Sequence, residues 1–339
     1  MRAALTILWD SFRLLQAKKL FWIAMGISIL VALLYASIGF DEKGMTFFFG
    51  AKDFENPILQ EGKPEAAAFY VMIFTDVIVR FWLAWFAIGL ALLSTASIFP
   101  DFIAEGSIGI SLSKPVGRLR LFLLKYLGGL LFVALQVAAF TLIVFLALGL
   151  RIGEWNLTVF WAVPVVTFVF SLIYCVAVWI GVWSRSTLFA LLGAFLLWGT
   201  SLLAQWTEES LYQAANFNPE SGLTVDYRTG ETYVGEPREK DSMLVSGHRT
   251  AKKVVTPLPK TRDSTIYLKR LIKMEKRDTF LSGVSMGDLM SGKLPDPTKK
   301  DAMKRFEQRH TAWYVFGTSA LFEAVILSLA AWIFCRRDY

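Results

Sequence analysis

Four ionisable side chains, Asp76, Arg80, Lys125 and Glu323, stand within long apolar segments of the sequence. Asp76 and Arg80 are four residues apart, so they share one helix face and can form an ion pair. Residues 81–99 are nearly long enough to cross a membrane alone, so we expect this pair to lie outside the hydrocarbon. Glu323 lies mid-segment, where a lone carboxylate is costly. We expect it to be protonated or paired, either hydrogen-bonded to another helix or lining a polar path.

A phosphate-binding loop is the second candidate for chemistry. Residues 287–293 match the pattern G-x-x-x-x-G-K, whose backbone cradles nucleotide phosphates. The next residue is Leu294, where the loop needs Ser or Thr to hold Mg²⁺. Pro295 then interrupts the helix that should receive the phosphates. We interpret the match as chance and expect no ATPase or other enzymatic activity in this chain.

The sequence gives little support for a metal site or for a catalytic nucleophile. The two histidines, His248 and His310, are far apart and have no cysteine nearby, whereas zinc sites gather several such ligands. The two cysteines, Cys175 and Cys335, are also distant from each other, so no disulfide is expected. No set of residues resembles an acyl-transfer triad. The sequence therefore predicts no catalytic residue, no cofactor and no metal ion.

The elements that position these residues are membrane-spanning helices. The chain is 55% hydrophobic and 19% charged, with a mean hydropathy of +0.48, which is typical of membrane proteins. A helix needs about 17–25 mainly apolar residues to cross a bilayer. Six segments meet this requirement and are apolar on all sides, which predicts an all-α integral membrane protein. The predicted spans are 20–39, 70–99, 121–150, 158–183, 188–205 and 312–335.

Basic residues in the short connecting segments indicate the orientation. If the N-terminus is cytoplasmic, four segments are inside and hold ten Lys or Arg in 48 residues: 1–19, 100–120, 184–187 and 336–339. The short loops on the other side, 40–68 and 151–157, hold four in 36. The bias predicts a multi-pass protein with both termini cytoplasmic, and we expect it in a plasma (bacterial inner) membrane. The net charge of +7 mostly follows from these flanks, so no nucleic acid partner is expected.

The predicted domain organisation has one unusual part. A cytoplasmic amphipathic lead-in helix at 1–19 precedes spans one to five at 20–205, and the sixth span and a short tail occupy 312–339. Between them, 206–311 is a large insert that the parity of the spans places outside the cytoplasm. Residues 216–241 suggest irregular chain or short hairpin strands. Residues 265–275 have helical apolar spacing with basic residues opposite, which predicts a helix at the membrane surface or packed on the spans.

The turn between spans two and three has features of a docking element. Pro100 is expected to stop the second span. Phe102 and Ile108 contribute to an apolar face, and Arg118 can anchor the third span at the lipid headgroups. A short, partly apolar helix of this kind fits a groove on a partner protein. An ordinary interfacial turn is the alternative.

A family resemblance favours docking. Residues 105–118, EGSIGISLSKPVGR, and then KYLG at 125–128 resemble the pattern E-G-(T/S)-x-x-x-L-L-S-K-P-(V/I)-S-R…G-K-Y-(L/I)-G. That pattern belongs to permease subunits of type-2 ABC exporters, the group that includes the nitrous-oxide-reductase maturation permeases. This chain has Ser111 where Leu is usual, Gly117 where Ser is usual and Leu124 where Gly is usual. Its outer insert is also far longer than the family's re-entrant hairpin.

The resemblance implies type-2 ABC exporter architecture with a coupling helix at 100–115 that sits in a cleft of a cytoplasmic ABC ATPase subunit. The residues it suggests for this contact are Phe102, Glu105, Gly106, Ile108, Lys114, Pro115 and Arg118. Further expected partners are a second permease copy (a homodimer or a paralogous heterodimer), membrane lipid, and an envelope protein that meets 206–311. The alternative from another class is a membrane-anchored scaffold or assembly protein that acts through 206–311.

Overall fold

A computed structural model describes residues 16, 19–104, 117–216, 224–225, 232–233, 242–273 and 310–337. The prediction of six helices that are long and apolar enough to cross a membrane is confirmed, at Lys19–Ala36, Pro64–Ile103, Arg118–Ile152, Leu157–Ser184, Thr187–Tyr212 and Trp313–Arg336. The lead-in helix expected at 1–19 lies almost entirely outside the described residues.

The regular elements follow the chain in a simple order. The helices are α1 (Lys19–Ala36), α2 (Pro64–Met72), α3 (Ala87–Thr95), α4 (Ile98–Ala104), α5 (Arg118–Ile152), α6 (Ala162–Ser184), α7 (Thr187–Asn216), α8 (Ser242–Val255), α9 (Thr261–Leu271) and α10 (Thr318–Arg336). A π-helical segment of 14 residues, Ile73–Phe86, precedes α3, and a shorter one, Trp313–Gly317, precedes α10. A 3-10 turn at Leu157–Trp161 precedes α6.

The second span combines α2, the π segment Ile73–Phe86, α3 and α4 into one long apolar unit. The expectation that Pro100 stops this span is wrong. Helix α3 already ends at Thr95, and α4 begins at Ile98. Pro100 thus falls in the first turn of α4, where a backbone N–H has no intrahelical acceptor and its loss costs little.

Small antiparallel strands follow α1 in the loop that the sequence treats as a simple connection. Strands β1 (Gly39–Asp41), β2 (Gly44–Phe47) and β3 (Lys52–Glu55) form one sheet in the order β1-β2-β3. The turn between β1 and β2 requires glycine at position 44. Its φ is +146°, and a Cβ there would lie 2.3 Å from the carbonyl oxygen of Phe54. Farther along, β4 (Thr224–Val225) pairs with β5 (Thr232–Tyr233), so the short hairpin suggested within 216–241 is confirmed.

Helix α6 occupies the centre of the bundle. It packs against α3, α5, α7, α9 and α10, and 78% of its most apolar stretch is buried. Gly129 on α5 allows one of these contacts, since a Cβ there would lie 2.7 Å from the hydroxyl oxygen of Tyr174. Small residues bring membrane helices close together, and the ring of Tyr126 stacks on that of Tyr174 at 5.3 Å between centroids.

The outer insert folds back onto the spans. Helix α8 packs along α7, and α9 packs against the π segment of span two, α6 and α7. Of the two placements expected for the helix at 265–275, packing on the spans is the one observed, although α9 begins at Thr261. The Ser201 hydroxyl donates to the carbonyl oxygen of Pro259 at 2.8 Å, and the Gln205 amide donates to the same oxygen at 3.1 Å. These bonds attach the insert to span five.

Hydrogen bonds at the ends of the spans show which segments lie at the same end of the bundle. At one end, the Lys273 amide donates to the Thr158 hydroxyl at 3.0 Å, so the insert lies beside the loop that follows α5. At the other end, Arg118 donates to the carbonyl oxygens of Cys335 and Arg337, each at 3.0 Å. The described part of the insert is thus at the end opposite Arg118, as span parity requires.

Cysteine labelling tests which end faces the cytoplasm. In a chain with Cys175 and Cys335 replaced by Ser, we expect Ser246→Cys to react with a membrane-impermeant maleimide in intact cells. Ser246 is exposed on α8. Gly117→Cys should react only after lysis; it is exposed at the other end, and a Cβ there meets no atom within 4 Å. The reverse labelling pattern would overturn the predicted orientation.

Candidate functional site: a groove between spans two and five

A groove of about 800 Å³ opens between span two, span five and α9. The π segment and α3 form one wall, α7 forms the second, and α9 closes the outer end. Because α9 belongs to the insert, the site joins residues that are up to about 190 positions apart in the sequence, such as Val79 and Lys269. The fold-back of the insert therefore completes this site.

Aromatic and aliphatic side chains line most of the groove. The indole rings of Trp85 and Trp198 lie 5.7 Å apart between centroids, and Trp206 lies 6.3 Å from Trp85. Phe195 and Leu93 also line the groove and lie farther along their helices from the insert. Phe195 and Trp206 are eleven residues apart on α7, which at 1.5 Å per residue corresponds to about 16 Å of apolar wall.

Charged side chains surround the outer end of the groove. Arg262 on α9 forms an ion pair with Glu209 on α7, and its guanidinium carbon lies 5.7 Å from the centre of the Trp206 ring. Lys269 on α9 donates to the Asp76 carboxylate at 2.5 Å. Arg80 also lines the groove, is exposed, and has no ion-pair partner among the residues that the structure describes.

The sequence identified only part of this charged end. It predicted that Asp76 and Arg80 can form an ion pair on one helix face. That pair is not formed: Asp76 pairs with Lys269, and Arg80 has no ion pair among the described residues. Glu209, Arg262 and Lys269 were not singled out. Of these three, only Lys269 had a sequence signal, since it belongs to the basic side of the helix predicted at 265–275.

Glu323 lies elsewhere, between spans three, four and six. The Tyr126 hydroxyl on α5 donates to one carboxyl oxygen at 2.7 Å, and the Ser171 hydroxyl on α6 lies 2.9 Å from the other. This is the hydrogen-bonding role expected from the sequence, made with two spans instead of one. Glu323 is not among the residues that line the groove.

Both hydroxyl groups at Glu323 also lie near backbone acceptors. The Tyr126 hydroxyl lies 3.2 Å from the carbonyl oxygen of Ser171, and the Ser171 hydroxyl lies 2.8 Å from the carbonyl oxygen of Phe168. The Glu323 carboxyl group is therefore part of a hydrogen-bonded cluster that joins α5, α6 and α10.

Two of the residues suggested for ATPase coupling are described, and both contact the last span. Phe102 is buried, and its ring lies 6.4 Å from that of Phe334, with the Lys125 ammonium 4.8 Å from its centre. Arg118 binds the terminal carbonyl oxygens of α10, as described above. The structure therefore gives Phe102 a packing contact inside the bundle. The other suggested residues, Glu105, Gly106, Ile108, Lys114 and Pro115, lie outside the described residues.

Comparisons of the chain with protein-family models, curated proteins and solved structures give no match. The resemblance to type-2 ABC permeases therefore rests on residues 105–128 and on the order of the six spans.

Other polar side chains attach the insert to the bundle. His248 Nε2 lies 2.9 Å from the Glu208 carboxylate, so α8 is bonded to α7. Lys260 is fully buried and donates to the Thr318 hydroxyl at 2.7 Å, and burial lowers the pKa of Lys260 to about 8. Within the described ranges, no group of three or more His, Cys, Asp or Glu residues could hold a metal ion. The match at 287–293 lies outside the described residues.

Proposed function

We propose that the chain is the membrane subunit of an ATP-driven exporter, powered by a separate cytoplasmic ABC ATPase. The observation that carries this proposal is the sequence at 105–118 and 125–128, which resembles the coupling segment of type-2 ABC permeases. Six helices with the length and composition of membrane spans agree with the layout of that family.

The contacts that flank the coupling segment support a mechanical role. Phe102, just before it, packs against Phe334, and Arg118, just after it, binds the last carbonyl oxygens of α10. A partner that pulls on residues 105–116 would therefore move α4, α5 and α10 together. Interfaces of this kind change by rigid-body movement of packed helices.

Span two connects the coupling segment to the groove. Its inner end, α4, leads directly into residue 105, and its π segment carries Arg80 and Trp85 in the groove wall. Displacement of α4 would be transmitted along span two and would change the distance between spans two and five. In this proposal the groove forms part of the path of the exported molecule, and two permease copies pair with two ATPases.

Co-purification from the native membrane distinguishes this proposal from the scaffold alternative. The full chain, tagged at its C-terminus and extracted in mild detergent, should retain a stoichiometric protein that carries a phosphate loop and hydrolyses ATP. Recovery of the chain without an ATPase, in detergents that preserve its six-span fold, would contradict the exporter proposal. Recovery of an envelope protein bound to the insert instead would favour the scaffold.

A further inference from the structure

We infer that the groove binds a membrane lipid with an anionic headgroup, seated with its headgroup at Arg80 and its acyl chains along the aromatic wall. The binding step depends on the geometry of the groove alone. Only the further identification of this lipid class as exported cargo rests on the proposed function.

The depth of the groove matches one leaflet of a bilayer. Helix α7 begins at Thr187, and about 20 residues at 1.5 Å each bring it to the far side of the hydrocarbon core near Trp206. The charged end of the groove is therefore at headgroup level on the insert side. The apolar wall from Trp206 to Phe195 is about 16 Å long, close to half of the roughly 30 Å core.

The charge at the outer end favours an anion. Arg80, Arg262 and Lys269 contribute three positive charges, whereas Asp76 and Glu209 contribute two negative charges. Among the residues that the structure describes, Glu209 pairs with Arg262 and Asp76 pairs with Lys269, and Arg80 is the cation at this end that has no ion pair. A guanidinium can form two parallel hydrogen bonds to a phosphate, so Arg80 is suited to hold a lipid phosphate.

The groove is accessible from the lipid phase. Phe86 and Trp206 line it and are 61% and 45% exposed, so its side faces outward from the bundle. A small soluble anion would use only the charged end and leave this aromatic length unfilled. A neutral apolar molecule would fill the length and leave Arg80 unused. A lipid with an anionic headgroup fills the apolar length with its acyl chains and pairs its headgroup with Arg80.

Two glycines provide matched variants for the apolar part. Gly89 lines the groove, and a Cβ there would meet no atom within 4 Å, so Gly89→Phe adds a ring to the groove without a backbone clash. Gly199 on α7 is equally open but does not line the groove, so Gly199→Phe is the control. For the charge, Arg80→Gln removes the cation, Arg80→Lys retains it, and Arg249→Gln removes an exposed arginine on α8 outside the groove.

The test is a titration of the purified full chain, without ATPase, with phosphatidylglycerol and phosphatidylcholine, measured by native mass spectrometry. We expect tighter binding of phosphatidylglycerol and a loss of about fivefold in this preference for Arg80→Gln, the effect of one cation near a membrane surface. Arg80→Lys and Arg249→Gln should keep most of the preference. Gly89→Phe should weaken binding of both lipids, and Gly199→Phe should not.

Several results would overturn the inference. Equal affinity of the wild-type chain for the two lipids would show that the headgroup charge does not contribute to binding. Competition by inorganic phosphate at similar concentration would indicate a site for a soluble anion. Unchanged binding in Gly89→Phe would show that the acyl chains lie elsewhere. Because no ATPase is present, none of these outcomes depends on the exporter proposal.

Discussion

Replacing Glu105 with Lys, or Gly106 with Trp, is expected to abolish export while the chain accumulates normally in the membrane. Neither residue belongs to the six described spans, so insertion should be unaffected. The family resemblance places both residues at the ATPase contact. There, Glu105→Lys inverts a charge, and Gly106→Trp prevents close approach of the backbone.

The measurement is the amount of ATPase recovered per permease in a pull-down, beside the total permease in membranes. Loss of a central contact in an interface costs about 2 kcal/mol or more, so recovery should fall at least about tenfold. Arg249→Glu reverses a charge at the opposite end of the bundle, and Gly199→Trp adds the same bulk within span five. Both controls should retain the ATPase. Unchanged recovery for both test variants, and across a scan of 102–115, would make this turn an ordinary interfacial loop.

The spans could be predicted because the bilayer imposes a simple length requirement. A segment such as 121–150 is apolar on every side, so it can be predicted as a membrane span without knowing which helices pack against it. The irregular parts of the fold have no comparable signal. The π winding of Ile73–Phe86 has the same composition as an ordinary membrane helix, and strands β1 to β3 are only three or four residues long. Pro100 was misinterpreted because the sequence alone does not distinguish a proline that ends one helix from a proline in the first turn of the next helix.

The groove could be predicted only in part, because it depends on which helices meet. Arg80 and Glu323 were conspicuous, since charges are rare in apolar segments. The partners of Asp76 and Glu323 were not conspicuous. Lys269 reaches Asp76 from a helix 193 residues later, and no periodicity in either segment indicates that pairing. Tyr126 and Ser171 likewise look like ordinary residues of their spans until the fold brings them to Glu323.

The effect of substitutions at Glu323 should depend strongly on the replacement. In Glu323→Gln, the amide oxygen can accept from Tyr126 and the amide nitrogen can donate to Ser171. The two hydrogen bonds that join position 323 to α5 and α6 can thereby be kept. We therefore expect Glu323→Gln to reach wild-type abundance in membranes and to keep its thermal stability in detergent.

Glu323→Lys should instead lower membrane abundance several-fold. The described hydrogen-bond partners of Glu323 are two hydroxyl groups, and hydroxyls cannot neutralise an ammonium group. A lysine at the centre of a membrane helix costs about 2.5–3.5 kcal/mol, a large part of the roughly 5–15 kcal/mol that stabilises a folded domain. Cellular quality control converts a loss of this size into reduced abundance.

Two measurements test these expectations: membrane abundance by quantitative blotting and thermal unfolding in detergent. Both are made in parallel for wild type, Glu323→Gln and Glu323→Lys. If the lysine variant accumulates normally and unfolds at the wild-type temperature, position 323 faces water or headgroups and the assigned centre of the last span is wrong. If the glutamine variant is lost as well, an amide cannot replace the carboxyl group at this position, and the hydrogen bonds to Tyr126 and Ser171 do not account for the role of Glu323.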